Sequence, residues 1–381
     1  MLEAAVKDIH VTRTTPPYTR PILNKSAPHE SQTRRVTHKD VAERAGVSVA
    51  TVSYVLNGGP RPVSPETRAR VQAVIDELEY YPNELARGLR LKQSSTVGLL
   101  IPNIMNAFYA EVAQAFEAYC HGEGFLVMLC NSEGDAEREA KYVQALRAKQ
   151  VDGLVVIPYS EPAALLRPIL QAKIPVVLLE HDMPGVPCIA IEEFRGGQIG
   201  TEHLLGLGHR RIALLRQTPT SALSSERVNG YQAALSQAGI AYDSSLVVEC
   251  NATQAEGYRV MGELLALPEP PTAIFAHNDV LALGACHAIR QAGLRVPEDV
   301  SVVGYDDITS AAYLNPPLTT VHFPKAEMGR RAGELILGLL RGEGASVATR
   351  TLPVELIVRE STAPPRVRSG RAARARAAPS S

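Results

Sequence analysis

The stretch VTHKDVAERAGVSVATVSYVLNG, residues 36–58, decides how the N-terminal part of this chain folds. Thr37 followed by Asp40 is a capping-box-like pattern, in which the two side chains satisfy backbone N–H groups that a helix start leaves without partners. Val41, Ala42 and Ala45 give a short apolar face, and Gly46 stops that helix. Ser48 can cap a second helix in which Val52, Val55 and Leu56 recur at helical spacing, before Asn57-Gly58-Gly59 ends it. Two short helices separated by three or four residues around a glycine make a helix-turn-helix candidate. A third helix follows: Ser64 caps, Pro65 takes the first helical position, and Val71, Val74, Ile75 and Leu78 form one stripe. Together the three stripes can close a small core.

From Thr96 onward the pattern changes to short apolar runs alternating with amphipathic helices. VGLLI (97–101), FLVMLC (125–130), GLVVI (153–157) and PVVLL (175–179) read as buried strands, and the alternation restarts at RIALL (211–215), TAIFA (272–276) and VSVVG (300–304). Alternating strands and helices predict parallel, doubly wound sheets, and two successive series predict two similar lobes. Ligands in such folds sit at the carboxyl ends of strands, here the cleft between lobes. At the ends of the chain, residues 1–35 carry Pro16, Pro17, Pro21 and Pro28 without apolar periodicity and read as a flexible leader. Residues 363–381 read as a basic disordered tail, with Arg366, Arg368, Arg371, Arg374 and Arg376 and no acidic residue.

Composition narrows the function classes. Lysine plus arginine total 39 against 40 acidic residues, so any nucleic-acid contact must come from a local surface. Five cysteines with no close pair suit buried thiols in a reducing compartment, not a disulfide or zinc framework, and no metal or cofactor is expected. No stretch reaches the ~20 apolar residues of a membrane helix and no signal-peptide core opens the chain, so a cytoplasmic, nucleoid-associated protein with no membrane partner is expected. A phosphate loop ending in Lys-Ser/Thr and a Gly-x-Ser-x-Gly elbow are both missing, and Gly206-Leu207-Gly208 lacks the third glycine of a dinucleotide loop, which argues against an enzyme. His203 and His209, six residues apart, do not share a helical face and read as surface or capping residues.

The run 36–58, then VSPETRARV (63–71), YYPN (80–83) and LARGLRLKQSSTVGLLIP (85–102), resembles the DNA-binding end of the lactose/galactose-repressor family. The likeness continues through VDGLVVIP (151–158), GHRRIALL (208–215), HNDVLALGACHAIRQAGLRVPEDVSVVGYDD (277–307), PPLTTV (316–321) and LIVREST (356–362). It implies an all-α helix-turn-helix headpiece over 36–92 with a hinge helix at 83–91. An α/β, two-lobed, periplasmic-binding-protein-like domain over 95–362 would then bind an effector and dimerise. The function implied is sequence-specific regulation of transcription, expected to be repression, by a homodimer on a pseudo-palindromic double-stranded DNA operator. Its small-molecule effector is expected to be a sugar or related metabolite.

By the same resemblance, Val49, Ala50 and Tyr54 would face base edges, Ser48, Thr51, Ser53 and Asn57 would contact phosphates, and Thr37 would also belong to the DNA-binding surface. Leu89, flanked by Arg87, would wedge into the minor groove. For the effector, Asn103 follows the first strand, Phe108 and Tyr109 open the first helix at the cleft edge, and Glu180 ends the fourth strand. Arg227 and Asp279 are the best bets for polar ligand contacts. Two departures stand out: Ala252 sits where many relatives place an aromatic platform, and Glu192-Glu193 in IEEFRGG (191–197) replaces an Asp-Asn-type pair, adding a carboxylate near the lobe crossover.

Overall fold

A computed structural model describes residues 36–57, 61–81, 93–217, 222–343 and 349–366, with the side chains of Asn57 and of residues 222–224 left aside. The hinge expectation at 83–91, with Arg87 and Leu89, the leader, and the tail beyond Arg366 lie outside these residues. The chain divides into two compact units, Met1–Asn83 and Glu84–Ser381.

In the small unit, α1 (His38–Ala45), α2 (Val49–Asn57) and α3 (Pro65–Glu77) form where the caps direct. The Asp40 N–H donates to Thr37 Oγ1, the Thr37 N–H donates back to Asp40 Oδ2 at 2.7 Å, and Gly46 ends α1 at φ +64°. A non-glycine residue in that left-handed region costs about 1–2 kcal/mol. Val41, Ala42, Ala45, Val52, Val55, Val71, Val74, Ile75 and Tyr80 make the core. Arg68 also ties α3 to α2 by donating to the Val55 carbonyl at 3.1 Å.

The large unit holds two six-stranded sheets. The first, in the order β11-β5-β4-β3-β1-β2, comprises β1 (Thr96–Ile101), β2 (Leu126–Asn131), β3 (Gly153–Val156), β4 (Val176–Leu179), β5 (Cys188–Ile191) and β11 (Arg350–Leu352), all parallel. The second repeats the order as β12-β10-β9-β8-β6-β7, from β6 (Ile212–Gln217), β7 (Val247–Cys250), β8 (Ala273–Ala276), β9 (Ser301–Tyr305), β10 (Thr319–His322) and an antiparallel edge, β12 (Glu355–Ile357). Every residue of β3, β4, β5 and β8 is buried, as strands covered by helices on both faces require. Each fully buried side chain such as Phe116, Phe275 or Leu99 contributes about 1.5–3 kcal/mol.

Helices α4 (Ala107–Gly122), α5 (Ala136–Ala148) and α6 (Pro162–Gln171) belong to the first lobe, and α7 (Glu193–Gly206), α8 (Ala222–Gln237), α9 (Gln254–Leu265) and α10 (Asp279–Gln291) to the second. Helix α11 (Lys325–Leu340) follows the second lobe's β10 yet packs on α4 and on β3, β4 and β5 of the first. The chain therefore changes lobe three times, at Glu192, at Phe323-Pro324 and at Pro353-Val354.

Two expectations are corrected here. His209 is not a surface residue: it is 1% exposed, its Nε2–H donates to the Ala363 carbonyl at 2.9 Å, and Nδ1 meets Thr272 Oγ1 at 2.9 Å. The carbonyl can only accept, which fixes the tautomer. His203 likewise meets Thr362 Oγ1 at 2.9 Å. The packed chain also runs past Thr362, the boundary set by sequence: the Ala363 N–H donates to Ser301 Oγ and Arg366 pairs with Asp299 at 2.9 Å, so the basic tail does not begin at 363.

Candidate functional site

In the small unit, burial of Val52 and Val55 turns the opposite side of α2 outward, so Ser48, Val49 and Ala50 are exposed and Thr51, Ser53 and Tyr54 are half-buried. Ser48 Oγ accepts from the Thr51 N–H at 3.1 Å and contacts Thr51 Oγ1 at 2.9 Å, so both hydroxyls already serve the helix start. Thr37 is exposed at the start of α1. Asn57 ends α2.

In the large unit, a cavity of about 70 Å³ lies where the two sheets present their carboxyl ends. At ~10–15 Å³ per water-sized site, that is room for about five to seven waters or a small metabolite. Most of its wall comes from residues that follow parallel strands: Pro102 after β1, Pro158 and Tyr159 after β3, Glu180 and His181 after β4, His277 and Asn278 after β8, and Asp306 after β9. Three helices complete it, with Asn106, Phe108 and Tyr109 at the start of α4, Glu193 at the start of α7, and Arg227 in the second turn of α8.

An ion pair dominates this wall. Arg227 Nε and Nη2 donate to the two oxygens of Glu193 at 2.8 Å each, and Nη1 donates to the His277 carbonyl. The guanidinium carbon lies 3.4 Å from the centroid of the Tyr305 ring. Three of the five guanidinium N–H groups are thus engaged, which leaves two for another acceptor. Burial opposes the Arg227 charge, yet the Glu193 carboxylate more than restores it and holds the pKa above the ordinary value. The pair exists because α7 and α8 touch closely: a Cβ on Gly197 would lie 2.0 Å from the Arg227 carbonyl oxygen, so only glycine fits.

The remaining carboxylates lack such partners. Asp306, 5% exposed, and Glu180, half-buried but enclosed by the cavity walls, accept no hydrogen bond from the described residues. Desolvation, with Glu193 close by, pushes the Glu180 carboxyl up to about 8. Desolvation also raises Asp306 well above the carboxylate range, with Asp279 and Glu180 adding to it and Arg227 opposing. His277 is held neutral by desolvation and by Arg227, and its Nδ1 has no partner among the described residues. Behind the wall, Glu139 on α5 accepts from the Tyr159 and Ser160 N–H groups at 2.8 and 3.0 Å and thereby presents Tyr159 to the cavity.

Of the expected effector residues, Phe108, Tyr109, Glu180 and Arg227 line this cavity, whereas Asn103 and Asp279 do not. Asn103 Oδ1 accepts from the Met105 N–H at 3.0 Å inside its own loop, and the next asparagine, Asn106, takes the wall position. Asp279 is wholly buried: it accepts from Thr320 Oγ1 at 2.6 Å and from the Ile308 N–H at 2.9 Å, and desolvation lifts its pKa to about 7. In this geometry it braces the turn that carries Asp306. Ala252 is absent from the wall. Sequence reading passed over Asn106, Tyr159, His181, Gln217, His277 and Asp306, although the rule that ligands meet residues just past parallel strands reaches most of them. Among the described residues, no group of three or more His, Cys, Asp or Glu is placed to hold a metal, and no helix is long and apolar enough to cross a membrane.

Residues 37–83 match the bacterial regulatory proteins of the lacI family, and residues 201–362 match the periplasmic binding protein-like domain. The HTH-type transcriptional repressor PurR of Aliivibrio fischeri is 36% identical over 330 residues, 85% of this chain and 98% of that protein. The HTH-type transcriptional regulator DegA of Bacillus subtilis is 36% identical over 335 residues, 87% of this chain and 99% of that protein. A crystal structure of the lac repressor dimer bound to operator and the anti-inducer ONPF superposes with a TM-score of 0.78 at 32% identity, covering 87% of this chain and all of that one. These relatives are regulators of transcription and not enzymes, and with two of them matched over nearly their whole length, the chain belongs to the lacI family of DNA-binding bacterial regulatory proteins.

Proposed function

We propose that this protein represses transcription as a cytoplasmic homodimer that reads a pseudo-palindromic operator, under the control of a small polar effector of the sugar or related metabolite class. The observation that carries the reading is the combination, in one chain, of a helix-turn-helix unit with an exposed α2 face and a two-lobed unit enclosing a polar cavity. The operator-bound dimer among the solved relatives supports it, as does the sheet edge at β2, where Leu126 and Leu129 are 66% and 46% exposed.

On this reading Val49, Ala50 and Tyr54 meet base edges in the major groove, and Thr37, Ser48, Thr51, Ser53 and Asn57 meet phosphates. Two small apolar side chains and a tyrosine favour thymine methyls and groove shape over a bidentate guanine contact. Residues 83–91 act as the hinge, with Arg87 and Leu89 at the minor groove. Phe108, Tyr109, Glu180 and Arg227 contact the effector, and Asp279 acts behind them. Ligand that binds one lobe arrangement better than another shifts operator affinity, typically by about 5- to 150-fold.

The test is selection of bound duplexes from a random pool with the purified full chain, followed by titration of the winning sequence with and without metabolite fractions. A pseudo-palindrome whose affinity one fraction shifts is the expected result. No enrichment, or enrichment of a single half-site, overturns the dimeric operator reading.

A further inference from the structure

The wall of the cavity is rich in acids and poor in bases. It carries three carboxylates, Glu180, Glu193 and Asp306, and one cation, Arg227, which is already locked in a two-point pair with Glu193. The nearest further ammonium, Lys325 Nζ, is 5% exposed and committed elsewhere: it donates to the main-chain carbonyls of Asp306 and Asp307 and lies 3.5 Å from Glu111. Asp279 has its own donors in Thr320 and Ile308. Two carboxylates facing one enclosed space thus remain without a hydrogen-bond donor from the described residues. Taking an unpaired carboxylate out of water costs several kcal/mol, so both acids hold their protons in the free site, and their ionised forms persist where something else supplies the donors and the charge.

Two further features point to what that is. His277 is 4% exposed, faces the cavity and has an Nδ1 with no partner among the described residues. The Phe108 and Tyr109 rings, with centroids 4.7 Å apart, add aromatic surface that attracts cations.

We propose that the effector cavity binds a small metabolite bearing a protonated nitrogen, seated between Glu180 and Asp306, with the two remaining N–H groups of Arg227 directed to its oxygens. The inference rests on the effector reading above and narrows it from polar metabolites in general to cationic ones. A neutral polyol would supply donors but leave two buried negative charges uncompensated, or else require both acids protonated. The two cases differ in their response to pH. Glu180, which faces Glu193, Arg227, Asp306, Tyr109, Tyr305 and Cys188, sheds its proton near about 8. Asp306 faces Arg227, Asp279, Glu180, Lys325, Tyr109 and Tyr305 and resists ionisation in the same direction. A cation needs these groups ionised, so its affinity rises with pH; a polyol bound to the protonated acids loses affinity over the same range.

The experiment is calorimetric titration of the full chain with matched pairs that differ in charge: putrescine against 1,4-butanediol, and D-glucosamine against D-glucose at pH 7. Putrescine also serves for a series between pH 6 and pH 8, where amines of lysine type stay charged. Expected are at least tenfold tighter binding of the charged member in one pair or both, tightening with pH, and a loss of at least tenfold in Glu180→Gln and in Asp306→Asn. Denaturation of the unliganded variants checks that they fold, and removing an unpaired buried charge should leave them at least as stable as the parent. If the neutral members bind equally well or better, the cation assignment fails while the effector site stands. If all four are silent, the assignment also fails, and the effector reading is decided separately by operator titration with metabolite fractions.

Discussion

Arg227 and Glu193 are both nearly sealed from water, and each is tolerable only because the other is present. Breaking a buried pair from one side leaves an uncompensated charge at about 3–5 kcal/mol. Arg227→Met should therefore lower the urea-unfolding free energy of the large unit by about that much, and adding Glu193→Leu should restore most of it. Glu180 gives a prediction with a pH signature. Its carboxyl titrates near about 8 in the folded protein against an ordinary 4.5, so folding takes up a proton between those values. The group costs nothing below 4.5, and its burden grows as pH rises towards 8. Glu180→Gln should match the parent in stability near the lower pH, gain a widening advantage as pH rises, and level off above the upper one, as denaturation at a series of pH values would record. An advantage independent of pH would mean that Glu180 is not proton-bound at neutrality.

At the scale of elements, legibility followed the range of the interactions. The caps at Thr37, Asp40, Ser48 and Ser64 are settled by partners within three residues, so they could be read directly, and so could β1, β3, β4, β6, β8 and β9, whose apolar runs need no context. Strands β7, β11 and β12 lie at sheet edges, and β5 is held between β11 and β4; all four exist because neighbouring strands receive them, a tertiary fact that the sequence reading missed. The same holds within the site: Glu180, named through the family resemblance, stands just after a buried run that the sequence shows, but the pairing of Glu193 with Arg227 spans 34 residues, and the enclosure of Asp279 depends on Thr320, 41 residues away. Strand β2 carries the prediction at this scale. Its exposed Leu126 and Leu129 sit at an open edge, where charge discourages pairing. On the proposed dimeric reading, Leu126→Lys with Leu129→Lys should shift the protein to monomer in sedimentation velocity and weaken operator binding without unfolding it, whereas an unchanged dimer would move the interface elsewhere.

For the large unit as a whole, Glu111 spans the lobes. From α4 it accepts from the Thr309 N–H and Oγ1 of the second lobe at 3.2 and 3.1 Å, and it lies 3.5 Å from Lys325 at a crossing point. Bonds of this kind contribute about 0.5–1.5 kcal/mol each. On the proposed effector reading, with both bonds made in the bound form, Glu111→Ala should weaken effector binding by up to about 5- to 160-fold by calorimetry while leaving the unliganded protein folded. The three crossings also set an order of manufacture. The first lobe's sheet is finished by β11, and its face is covered by α11, so residues 325–352 must be made before that lobe is complete. On the ribosome the helix-turn-helix emerges and can close its core early, while the sensing body waits for nearly the last residue. A message cut short anywhere upstream of β11 thus does not yield a smaller regulator with one lobe; it yields a helix-turn-helix without the two-lobed body that, on the proposed reading, lets a metabolite govern it.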